Sequence, residues 1–138
     1  MSVEDILKFQ VLFYSPDGIN SPVSDYLDKM LAKNEENATN CLKHIEALPL
    51  LVLNKSKEIK SFTHPKLKLM ELKVKGKNKT EFRFFFIIEH PNLIVVYGFD
   101  KKTQKTEKRD VNSGVLNLEM YLMDKTTINP FKKRSIDN

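Results

Sequence analysis

The chain has 138 residues, of which 41% are hydrophobic and 30% charged, with one cysteine and three histidines. That is enough for a single domain with one sizeable core, and the lone Cys41 excludes an internal disulfide framework. With 23 Lys/Arg against 18 Asp/Glu the net charge is +5 and the pI about 9.2. Between Lys66 and Arg109 bases outnumber acids by more than two to one, and charge concentrated in this way favours a polyanionic partner. No apolar run approaches the ~20 residues of a membrane span. The opening Met1-Ser-Val-Glu-Asp lacks the basic, then apolar pattern of a secretory leader. A cytoplasmic protein with no membrane partner is the expectation.

In chain order, residues 8–14 read as a first strand, and Ser15-Pro-Asp-Gly18 as a turn. Asn20 or Ser21 then caps a helix with Pro22 at its first position. Val23, Tyr26, Leu27, Met30 and Leu31 form its apolar stripe, and Ala38, Cys41, Leu42, Ile45 and Leu48 form that of a second helix, ended by Pro49. Both stripes are core, and Cys41 is a small core residue within one of them. Residues 54–63 read as a polar connector. Three strands follow, at 66–74, 81–89 and 93–99, joined by hairpin turns at 75–80 and 89–92. An amphipathic helix is expected over about 107–123. The domain is expected to span residues 1–124, followed by a basic, disordered tail from 125 to 138. No repeat and no metal-ligand spacing appears, so neither metal nor cofactor is expected.

Register follows from burial. If Lys73 lies opposite Arg83, then Val74 faces Phe82, Leu72 faces Phe84 and Met70 faces Phe86, a wholly apolar face for helices to cover. Lys73, Arg83 and Glu71, with Phe85, then fall on the other face, which this reading leaves open to solvent. The last strand returns toward the same end of the sheet and brings Lys101, Lys102 and Lys105 near Arg83. Its own register is undetermined, because it is apolar on both faces.

Such a cluster is either a solvated face whose surface ion pairs contribute little or the kind of site a metal-free ribonuclease needs. Attack of the ribose 2′-hydroxyl on the adjacent phosphate builds negative charge that positioned cations stabilise, while a base takes the 2′ proton and an acid protonates the leaving oxygen. Arg83 is cast as phosphate clamp, since it cannot deprotonate. A lysine beside other cations can transfer protons, and Glu71 is either the base or the group that orients Lys73. The histidines are poorly placed: His64 and His90 sit seven residues along the strands from Arg83, about 23 Å at ~3.3 Å per residue, and His44 is expected on the surface of the second helix. Tyr97 and Tyr121 are candidates for stacking or proton transfer, in competition with packing.

Three segments carry a family likeness. Gly18-Ile-Asn-Ser-Pro-Val23 leads into Tyr26-Leu27. The strand pair holds Met70-Glu71-Leu72-Lys73 and Phe82-Arg83-Phe84. The block Gly98-Phe-Asp-Lys-Lys-Thr-Gln-Lys-Thr106 follows. In this order the chain, from about Phe9 to Met123, resembles the phage-derived HigB-like toxins of the RelE superfamily. The resemblance implies an α+β, RelE-like fold, β-α-α-β-β-β-α, with a small curved, mostly antiparallel sheet against two N-terminal helices. It also implies the toxin of a type II toxin–antitoxin pair, a metal-independent endoribonuclease that cleaves mRNA, commonly on the ribosome, and inhibits translation. A small antitoxin, expected to be a helix-turn-helix protein, would be its partner. Carried over residue by residue, the family's strand arginine falls on Arg83, its other strand base on Lys73 and its loop pair on Lys101 and Lys102. Together with the reading of the residues themselves, the catalytic candidates are Arg83, Lys73, Lys102 and Glu71, and the RNA-binding candidates Lys101, Lys105, Lys75, Lys77 and Tyr97. Three positions depart from the pattern: Lys73 stands for an arginine, Glu107 for a proline, and Tyr97 for a frequent histidine. The competing readings are a non-catalytic RNA- or ribosome-binding phage protein, and a degenerate toxin acting as co-repressor with its antitoxin.

Overall fold

The computed structural model describes residues 9–63, 68–77, 79–101 and 108–131. Within them the fold is α+β, with four helices and a mixed six-stranded open sheet. The strands are β1 (Gln10–Tyr14), β2 (Ile59–Thr63), β3 (Lys68–Lys75), β4 (Glu81–Glu89), β5 (Asn92–Lys101) and β6 (Ile128–Pro130). The helices are α1 (Pro22–Lys33), α2 (Glu35–Glu46), α3 (Leu48–Leu53) and α4 (Lys108–Met123). Sheet order is β2-β3-β4-β5-β1-β6, with β1 parallel to β5 and every other pairing antiparallel.

Local sequence starts the first helix as expected. The Ser21 hydroxyl accepts from the Ser24 amide at 3.3 Å, with Pro22 in the first turn. Asn34 ends α1 and also caps α2, its side chain accepting from the Asn37 amide at 3.0 Å. The predicted stripes bury Val23, Leu27, Met30, Ala38, Cys41, Leu42 and Ile45 against one face of the sheet, where Phe13, Leu72, Val74, Phe82, Phe84 and Phe86 wait for them. Burial pushes the Cys41 thiol up to about 12, as befits an inert core residue.

Three elements differ from the reading of the sequence. The polar connector contains the edge strand β2, whose Lys60 and Ser61 face solvent, so it lacks the apolar alternation that marks a strand. Pro49 ends no helix: it sits in the first turn of α3, where its missing N–H costs nothing. The tail from 125 is ordered through Phe131, because β6 pairs with β1, Leu12 opposite Pro130 and Tyr14 opposite Ile128. Residues 132–138 lie outside the described residues.

The largest correction concerns the second face of the sheet. Over its β5–β1 half it is covered by α4, whose Leu118 and Tyr121 pack with Leu12, Tyr14, Phe85, Ile87, Ile94, Val96 and Phe99 into a second core. Gly114 is the point of closest approach: a Cβ there would lie 2.4 Å from Phe85, so only glycine lets helix and sheet meet. Phe85, expected on an open face, is fully buried.

A candidate nucleic-acid interface on the sheet

The β3–β4 register is the one the burial argument requires: Lys73 opposite Arg83, Leu72 opposite Phe84, Val74 opposite Phe82. On β5, a bulge between Phe85 and Phe86 of β4 resets the pairing. Below it Glu89 pairs with Asn92 and Ile87 with Ile94; above it Arg83 pairs with Phe99 and Glu81 with Lys101. Opposed residues share a face and a one-residue insertion exchanges faces. Unbroken register would have set Asp100 opposite Glu81. The bulge instead brings Lys101 onto the Arg83 face and sends Asp100 to the other, where the Tyr26 hydroxyl donates to it. Burial, reinforced by this bond to Asp100, raises the Tyr26 phenol above its ordinary value.

Lys73, Arg83 and Lys101 therefore form a row across three adjacent strands, with Glu71 and Glu81 among them. Arg83 is not the solvent-facing side chain expected from the sequence: only 4% of it is exposed, and Glu71 is 5% exposed. Its Nη1 donates to Glu71 and its Nη2 to Glu81 Oε2 at 2.5 Å. The Nε is buried with no hydrogen-bond partner among the described residues. Lys73 Nζ reaches the other Glu81 oxygen at 3.3 Å. Those bonds, from Arg83 first and then Lys73, hold the Glu81 carboxyl below its usual range. Lys101 is pushed below its ordinary value by partial burial and then by the neighbouring Arg83 charge. Lys60 of β2 adds to the same field.

Other candidates are placed less centrally. Tyr97 lies on this face opposite Phe85, but its ring packs with Phe85 and Phe99 and its hydroxyl donates to Asp110 at 2.9 Å. It anchors α4 and stays partly exposed. Tyr121 is likewise engaged, donating to Glu89 at 2.5 Å. Lys77 turns toward α2 and pairs with Glu36 at 2.6 Å, while Lys75 is exposed at the end of β3. Lys102 and Lys105, and with them most of the Gly98–Thr106 block, lie outside the described residues, as does His64. His90 packs edge-on against Phe9 at the far end of β4. His44 is half-buried and lines a cleft with Lys60, Lys73 and Lys75.

Glu81 was not singled out from the sequence, although it is the carboxylate that joins Lys73 to Arg83. Strand alternation alone puts it on the face of Arg83, two residues on. Chemically, the row can hold a phosphate, and it carries two carboxylates and a lysine of lowered proton affinity for proton transfer. Among the described residues no cluster of His, Cys, Asp or Glu is arranged to hold a metal ion, and no helix is long and apolar enough to cross a membrane.

The family model "Phage derived protein Gp49-like (DUF891)" matches residues 25–115, about two thirds of the chain. The match runs from within α1 to within α4 and so includes the whole charged row. No curated protein and no solved structure matches.

Proposed function

We propose, from the premise that the chain belongs to the Gp49-like family of phage-derived proteins, that it is the toxin of a type II toxin–antitoxin pair of the HigB-like, RelE-type class and acts as a metal-independent endoribonuclease on mRNA. The observation that supports this most is the row Lys73–Arg83–Lys101, three cations on adjacent strands with two carboxylates between them. In this reading the cations hold the scissile phosphate and stabilise the charge that builds on it as the 2′-hydroxyl attacks. Lys101 or Glu81 takes the 2′ proton, and Lys73 gives one to the leaving 5′ oxygen. The products are a cyclic phosphate and a 5′-hydroxyl. The substrate is mRNA at the ribosome, and a small antitoxin neutralises the protein.

One observation favours a second reading. Arg83, the expected clamp, is buried and held by Glu71 and Glu81, so two negative charges offset it before any phosphate arrives. That suits a protein that binds RNA or the ribosome without cutting, or one that works mainly with its antitoxin as co-repressor. Induced expression in bacteria with 5′-end mapping of cellular mRNA separates the two. Growth arrest with new 5′-hydroxyl ends, both lost in Lys101→Gln, is the expected result. Arrest without new ends would overturn the nuclease reading and leave the binding one.

A further inference from the structure

Between α2 and the end of β3 lies a cleft of about 570 Å³. It exists because β2 pairs with β3 only as far as Ile59 opposite Leu72. Beyond that point the last residues of β3 are met by other elements. The Lys73 amide donates to the Glu58 carbonyl at 2.7 Å, and Asn40 Nδ2 of α2 donates to the Lys75 carbonyl at 2.9 Å.

Four lysines line this space, Lys57, Lys60, Lys73 and Lys75, with a single carboxylate, Glu58. Glu58 is already engaged by the Ser56 hydroxyl, and Lys73 by Glu81 at 3.3 Å. Lys57, Lys60 and Lys75 are exposed and in no ion pair among the described residues. The fifth basic group is His44. Its Nδ1 lies 2.8 Å from the Asn40 carbonyl, and a carbonyl only accepts. Nδ1 therefore carries a hydrogen, and Nε2 is left to accept a proton or, once the ring is charged, to donate one.

We propose that this cleft is a phosphate subsite for single-stranded RNA, seating a phosphodiester that flanks the one held at the Lys73–Arg83–Lys101 row. The inference rests on the reading of that row as an RNA site. Lys60 and Lys73 belong to both places, so a strand lying across the row continues into the cleft. The lining favours RNA over an acidic peptide: it offers four lysines and a hydrogen-bonding imidazole, with no aliphatic or aromatic hydrocarbon side chain among the residues that line it. The phosphate is held by Lys57, Lys60 and Lys75, with the His44 ring beside it.

The test uses a 2′-O-methyl RNA oligonucleotide, which lacks the attacking hydroxyl, with fluorescence anisotropy followed as a function of salt. Wild type is compared with Lys57→Gln/Lys75→Gln, whose targets are surface lysines, and with Lys101→Gln in the row. Each single-strand phosphate contact contributes about 0.7 to the slope of log affinity on log salt. The double variant is expected to lose roughly that amount per contact removed, with weaker binding at low salt. The His44 ring signals should move in NMR spectra when RNA is added, and those of His90 should stay put. Unchanged slope and affinity in the double variant, with wild type binding and Lys101→Gln weakened, would overturn the subsite and leave the RNA reading standing. Absence of binding by wild type overturns both.

Discussion

The two faces of the sheet solve the same burial problem with different chemistry. Toward α1 and α2, the strand residues of the four central strands are apolar, Phe13 and Val95 through Phe84 to Leu72, with Asp100 at the rim taken up by Tyr26. Toward α4 the face is divided: an aromatic half around Phe85 lies under the helix, and an ionic half around Arg83 lies on β3 and β4. Desolvating an ion pair costs several kcal/mol per charge, which the pair's own attraction only roughly offsets. A chain interested in stability alone gains nothing from Glu71 and Arg83 where Leu and Met would fit. The contrast separates two tasks: the uniform face holds the fold, and the divided face carries the charged row on which the proposed function rests.

Five variants sharpen that contrast, beginning with the largest effects. Phe84→Ala removes a fully buried ring from the uniform face and should cost about 3–5 kcal/mol, read by denaturant melting. Arg83→Ala should cost about as much, ~3–5 kcal/mol, because it leaves Glu71 buried and unpaired. The double replacement Glu71→Leu/Arg83→Met separates the faces. It should recover most of the stability lost in Arg83→Ala while remaining inactive in the growth-arrest assay. If the double variant is as unstable as Arg83→Ala, the ion pair is structural and the contrast fails.

Gly114→Ala probes the seam where α4 meets the divided face. Crowding of Phe85 should cost about 1–3 kcal/mol, reduced by the ~1 kcal/mol that alanine gains over glycine inside a helix. A stabilised variant would show that α4 sits farther from the sheet than Gly114 requires.

The smallest effect is a pH dependence. Because Arg83 and Lys73 hold the Glu81 carboxyl below its ordinary value, the folded state binds that proton less readily than the unfolded chain. The stabilisation is complete above the unfolded carboxylate range, near pH ~4.3, and disappears as pH falls through the folded value. Glu81→Gln should flatten the stability curve on the acid side of pH ~5 and leave its alkaline limb alone. A curve parallel to wild type at low pH would show that Glu81 makes no net use of its partners.

The uniform face was legible in the residues. Helical stripes at i, i+3 and i+4 and the run Phe82–Phe84–Phe86 define each other, since only one register buries all the aromatics together. Lys73 opposite Arg83 follows from the same argument. His44 lies on α2 and reaches the surface, as expected, but the cleft it lines was not legible, because its neighbours there come from β2, the residues just before it, and β3. Glu81 was passed over for want of a reason to expect a second carboxylate on Arg83.

By itself the sequence determined the α+β class, the α1 and α2 stripes, the β3–β4 register and which bases share a face, because periodicity and burial are properties of local residue order. Tertiary structure alone decided how exposed that face is. No pattern within residues 108–123 tells that α4 comes down on Phe85 at Gly114, so a Phe85 assigned to the open side is buried beneath it, and Arg83 on the same face is buried as well. It also decided the charge of the site. The single extra residue on β5 at the bulge, invisible in a strand apolar on both faces, sets Lys101 rather than Asp100 beside Glu81. Whether such an insertion is accommodated depends on the packing of both neighbouring strands at once, and no window of the chain contains that information.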